Sequence, residues 1–225
     1  YKRKVIVPDA LRNYLAQMGW SFGGDKELFS TDEMIENFSL ERIHLGGPVF
    51  DLDKLSWMNG HYMRSMSSQD YVNHLRVEIF SEENLEKIVP LIRDRIEKFE
   101  DFIDGTFFFF SGDLKFDPAL LLSKGRSPED VAQVLSDALD ALESIEDWTT
   151  ENLTKTMEVF LKEKGLKARD VYMPLRVATT GSKETPPLFE SIEVIGKEMV
   201  RRRVRCAVTA LNQLSQSAYE SGKTS

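Results

Sequence analysis

Apolar residues recur every three or four positions along almost the whole chain, and glycines, prolines and capping residues cut that pattern into short lengths. The segment PDALRNYLAQMGW reads as a helix with Pro8 in its first turn, a stripe of Leu11, Tyr14, Leu15 and Met18, and a stop at Gly19. STDEMIENF opens with a capping box, Ser30 followed by Glu33. In DLDKLSWMNGHYMR, Asp51 is the N-cap, and Leu52, Leu55, Met58 and Tyr62 fall on one face. SSQDYVNHLRVEIF is a further short helix. SEENLEKIVPLIRDRIEKFEDFIDG predicts a long one from Ser81 to Gly105, kinked or broken at Pro90.

The second half continues in the same way. Ser127 caps a strongly amphipathic helix, and Thr150 caps another that ends at Gly165. KARDVYMPLRVATTG is interrupted by Pro174, and the last helical region breaks near Gly196. The polar end SQSAYESGKTS is expected to fray. No sustained strand alternation occurs; the best short candidate is Arg42 to His44. The expected fold is therefore all-α: multihelical, in consecutive small helical bundles, with boundaries near residues 65–68 and 105–113.

Composition narrows the function. Hydrophobic residues are 41% of the chain, enough for a real core. A single cysteine, Cys206, rules out a disulfide framework and points to a reducing, cytoplasmic setting. No apolar run is long enough to span a membrane. The chain opens YKRK without a methionine, which fits a fragment or a processed chain. The net charge of −8 argues against non-specific nucleic-acid binding, but not against a specific RNA binder whose basic residues share one face.

The machinery of common enzymes is missing. There is no Walker loop, no G-x-G-x-x-G and no H-E-x-x-H. His44, His61 and His74 sit in separate segments without metal-ligand spacing. The loop TTGSKETPP has one glycine and no P-loop spacing. The rings of TFFFFSG are expected to divide between packed bundles, since exposed aromatic clusters invite association. RRRVRC winds a full turn, so its arginines cannot all face one partner. Arg93, Arg95 and Arg176 each follow a proline, and a guanidinium aimed away from a helix stripe suits base edges and phosphates. Ion pairing with Asp94 or Glu97 is the plainer reading of the first two.

Several of these segments, in this order, carry a resemblance. LGGPVFDLDKLSWMNGHYMR preceded by PDALRNYLAQMGWS, then EDWTTENL and PLRVATTGSKETPPLFESIEVIGKE, strongly resemble the half of bacterial-type glutamyl-tRNA synthetases that follows the catalytic domain. The family's HIGH-like and KMSKS-like ATP motifs are not in the sequence; GHYM and YKRK do not match them. The resemblance implies a stem-contact fold over residues 1–66, one anticodon-binding subdomain over 67–107 and a second over 108–225. It implies tRNA(Glu) as the partner of a monomer, without DNA or membrane. It assigns ATP and Mg to the parent enzyme, with no catalytic residue, metal or cofactor in this part, which alone should not charge tRNA.

By the same resemblance Arg176, Thr185, Pro186 and Leu188 meet the first two anticodon bases, with Leu188 offering an apolar face. Arg95, or Arg93 in the other register, falls where an arginine favours C at the third anticodon base and so marks an enzyme that discriminates against tRNA(Gln). Trp57, Asn59 and Arg64 would lie toward the tRNA stem; alternatively Trp57 and Gly60 serve only helix packing. A helical protein-interaction scaffold without RNA binding is the rival reading.

Overall fold

The computed structural model describes residues 6–44, 46–123 and 125–223, with side chains up to 216. The opening YKRK and the last two residues of the polar end lie outside them. The chain divides into two compact units, Tyr1–Ser81 and Glu82–Ser225. Among the described residues the regular structure is helical, apart from one isolated antiparallel bridge between Trp20 and Ile43, inside the one segment with strand character.

The first unit holds α1 (Pro8–Gly19), α2 (Thr31–Asn37), α3 (Leu52–Ser65) and α4 (Ser68–His74), the last continuing into a π turn, Leu75–Ile79. The capping chemistry is as the sequence predicts. Ser30 and Glu33 form a reciprocal box, and the Asp51 carboxylate accepts from the Asp53 and Lys54 amides at 2.9 and 3.0 Å. Tyr14, Leu55 and Met58 make a small core. Leu15 and Leu52, expected in it, are half exposed. The buried face of α1 instead turns on Asn13, which donates to the Glu27 carbonyl at 3.0 Å and accepts from the Phe29 amide at 3.1 Å. The Tyr62 hydroxyl lies 2.8 Å from Asn13 Oδ1. A buried amide bonded through both its oxygen and its nitrogen ties α1, α3 and the intervening loop in one register.

The second unit holds α5 (Glu82–Ile92), α6 (Asp101–Phe110), α7 (Pro128–Glu143), α8 (Thr150–Lys164), α9 (Ala168–Thr180), α10 (Leu188–Ile195) and α11 (Lys197–Lys223). The helical region predicted from Ser81 to Gly105, with a kink or break at Pro90, is two helices, and the break falls two residues past the proline. α5 runs through Pro90 to Ile92, tightens into a 3₁₀ turn at Arg93–Arg95 and extends at Ile96 before α6 begins. Pro90 removes one amide from the ladder near the helix end, where few bonds remain to hold it. Gly105 is no terminus but the middle of α6: a Cβ there would lie 2.6 Å from Ile92 Cδ1, so glycine lets α5 and α6 cross closely.

Pro174 does not interrupt α9, and Thr149 rather than Thr150 caps α8. The break at Gly196 is real, with φ of 80°. α11 runs on to Lys223, through most of the end expected to fray. One core joins α7, α8, α9, α10 and α11, with Val131, Leu135, Leu142, Met157, Leu175 and Ile192 fully buried. Of the four phenylalanines after Thr106, Phe108 is buried while Phe107 is 42% exposed.

Candidate nucleic-acid interface

The break after Pro90 decides where two arginines point. Arg93 turns outward to an exposed ion pair with Asp94 at 3.5 Å. Arg95, two residues on, reaches across to donate to the carbonyl of Thr185 at 3.1 Å, not to Asp94 or Glu97. Arg176, on α9 one turn before its end, donates to the carbonyls of Thr185 and Pro186 at 3.3 and 2.7 Å. Two guanidinium groups from separate helices therefore share one backbone oxygen.

The loop that supplies this oxygen is held from within. α9 ends at Gly181 in the left-handed region, with φ of 80°. The Thr180 hydroxyl donates to the Arg176 carbonyl at 2.7 Å, and the Ser182 hydroxyl accepts from the Glu184 amide at 3.2 Å. Pro186 is buried, and the exposed Pro187 caps α10. Leu188 is 6% exposed and packed in the main core, so in the free protein it presents no open apolar face; it anchors the loop from beneath.

The positive charge here is only partly offset. Among the described residues neither Arg95 nor Arg176 forms an ion pair. Burial lowers the Arg176 pKa from its ordinary value, the like charge of Arg95 adds to this, and Glu190 opposes it. Each guanidinium carries five N–H donors in a fixed fork, and the loop takes one nitrogen of each. An acceptor-rich or anionic ligand arriving here would meet donors already oriented and would relieve their mutual repulsion.

The residues predicted on α3 belong to the first unit. Trp57 is 48% exposed and does not anchor its helix; the buried Met58 does. Asn59 is occupied: its Oδ1 accepts from the Val7 amide at 2.7 Å, pinning the start of α1 to α3. Arg64 is exposed, and a Cβ at Gly60 would come within 3.0 Å of its Nη1, so the arginine lies along the glycine. Trp57, Gly60 and Arg64, three and four residues apart, share one helix face.

Two further residues escaped sequence reasoning. Arg203 is 3% exposed and donates to carbonyls at the ends of α6 and α9. Only its position third in a run of arginines could have drawn notice. Phe99 is 97% exposed, in a charged segment that gives no sign of it. Elsewhere the chemistry is sparse: no group of three or more His, Cys, Asp or Glu side chains fit to hold a metal occurs among the described residues, and Cys206 is exposed.

An all-helical chain that fixes donors in advance over a proline-stiffened loop has the build of a helical recognition module. It belongs to the anticodon binding domain family, whose model matches residues 61–208, more than half of the chain. It is similar to the glutamate–tRNA ligases of Stutzerimonas stutzeri, at 36% identity, and Pseudomonas paraeruginosa, at 37%. Each match covers 96% of this chain and 44% of the relative, so the chain spans less than half the length of the curated relatives it matches. A crystal structure of a glutamate tRNA ligase from Elizabethkingia meningosepticum, in complex with its amino acid, matches 94% of the chain and 43% of that protein. The identity is 30% and the TM-score 0.53. No helix among the described residues is long and apolar enough to cross a membrane.

Proposed function

We propose that this chain recognises tRNA(Glu) as the anticodon-binding part of a glutamate–tRNA ligase. The observation that carries the reading is the convergence of Arg95 and Arg176 on Thr185, without a carboxylate partner among the described residues, in a chain of the anticodon-binding family. In this reading the parent enzyme is a cytoplasmic class I synthetase that uses ATP and Mg to esterify glutamate to tRNA. This part contributes binding and selection as a monomer. Residues 1–66 would contact the stem through the face bearing Trp57 and Arg64, with Asn59 holding that face in register. Residues 67–107 and 108–225 would divide the anticodon between them.

Arg176, Thr185 and Pro186 then meet the first two anticodon bases, with Leu188 as the footing of their loop, and Arg95 meets the third. A guanidinium only donates. Cytosine presents two acceptors on its pairing edge, whereas guanine presents donors at N1 and N2 beside one acceptor. Arg95 thus favours the tRNA(Glu) anticodons, which end in C, over those of tRNA(Gln), which end in G. The outward ion pair of Arg93 supports Arg95 as the reader.

The test is binding of both tRNAs to the wild type and to Arg95→Gln. We expect a preference for tRNA(Glu) that falls by about 1–3 kcal/mol in the variant. A preference that survives the substitution intact overturns the role of Arg95; absence of any preference in the wild type overturns the discriminating reading.

A further inference from the structure

Phe99 is 97% exposed, more than any other large hydrophobic side chain among the described residues. It stands in the short turn between the 3₁₀ segment that carries Arg95 and the start of α6. That turn is built rather than loose. The Asp101 carboxylate accepts from the Glu97 and Lys98 amides at 3.4 and 3.1 Å, and the Phe102 amide donates to the Phe99 carbonyl at 3.1 Å. The ring is thus held out on a backbone whose hydrogen bonds are closed.

Leaving a phenylalanine in water forgoes the stabilisation that burying its ring would bring. The chain accepts this although Ile103 and Phe107, four and eight residues on, extend the exposed apolar row along α6. Charged neighbours flank the ring: Lys98 pairs with Glu100 at 3.5 Å, and Glu97 and Asp104 are exposed. A protein interface has a core depleted of charge, which this turn lacks. The ring stands at the end of this row, in the charged turn, with its faces open, and an open ring face suits a planar partner that stacks. Arg95 lies four residues away, so the two Cα atoms are at most about 14 Å apart. Both can therefore meet one short stretch of ligand.

We infer that Phe99 is a stacking platform for an unpaired base of the anticodon loop, adjoining the base read by Arg95. The inference rests on the tRNA reading above. Stacking uses the π-face that every base has, so Phe99 adds affinity without sequence preference, while Arg95 supplies the preference.

The experiment measures binding of tRNA(Glu) to the full chain and to Phe99→Ala and Phe99→Tyr. A parallel series uses tRNA(Glu) carrying 2-aminopurine at single unpaired anticodon-loop positions. We expect Phe99→Ala to lose about five- to 150-fold in affinity, the worth of one base–aromatic stack. Phe99→Tyr should stay near wild type, since it keeps the ring. The slope of affinity against salt should not change, because no phosphate contact is lost. One labelled position should brighten in the alanine complex. Wild-type affinity in Phe99→Ala overturns the inference and leaves the tRNA reading standing. Failure of the wild type to bind tRNA(Glu) overturns both. Loss of a concentration-dependent dimer in Phe99→Ala, with RNA binding intact, assigns the ring to a second copy of the chain and also overturns it.

Discussion

Replacing Arg203 with methionine separates one arginine of the 201–203 run from its neighbours. Its guanidinium donates to the Thr179 carbonyl at 2.6 Å and the Phe108 carbonyl at 2.7 Å, both bonds buried. It also bonds to the carbonyls of Ser111 and Gly112 in partly buried positions. The first two carbonyls lie in the last turns of α9 and α6, where the helix dipoles favour a cation. Methionine keeps the apolar stem and removes the donors. Water can replace the partly buried bonds, so their loss costs little. Two buried bonds from a charged donor at about 1.5–3 kcal/mol each give an expected loss of about 3–6 kcal/mol. For a unit of this size that lowers Tm by roughly 6–24 °C.

Arg202→Met is the control. Its ion pair with Asp113, at 2.6 Å, lies at the surface and is worth about 0–1 kcal/mol. The assay is urea and thermal unfolding followed by circular dichroism, with the slope against denaturant checked for a change of state. Arg203→Lys should recover only part of the loss, since an ammonium cannot span the fork. A loss below about 1 kcal/mol in Arg203→Met, or equal losses in the two methionine variants, would refute the reasoning.

Arg176→Ala should weaken tRNA(Glu) binding by about 1–3 kcal/mol, with helicity and melting near wild type; unchanged affinity would sink its assignment to the anticodon. Gly105→Ala should bring none of the roughly 1 kcal/mol that alanine ordinarily adds in a helix interior, because the new methyl group meets Ile92. A clear rise in melting temperature would show that α5 and α6 are not closely packed at that point.

The properties legible in the sequence are those written in neighbouring residues. Helical periodicity, the capping box at Ser30, the cap at Asp51, the break at Gly196 and the missing nucleotide-binding motifs all depend on spacings of a few positions. Order and spacing of the longer segments also carried the family resemblance. What depended on distant residues was not legible. That the chain breaks after Ile92 and that α6 then lies close to α5 at Gly105 are set by residues thirteen positions apart. Whether Leu188 is a surface or a footing depends on the core beneath it, and whether Asn59 is free depends on the Val7 amide 52 positions away. Arg202 and Arg203 are adjacent and chemically identical, yet one meets water and the other the ends of two helices, because a step of one residue turns a helical side chain by about 100°. Arg93 and Arg95 differ in the same way across a turn. The local sequence supplied the charges and the helices; only packing between segments far apart in the chain decided which charges face inward and which face solvent.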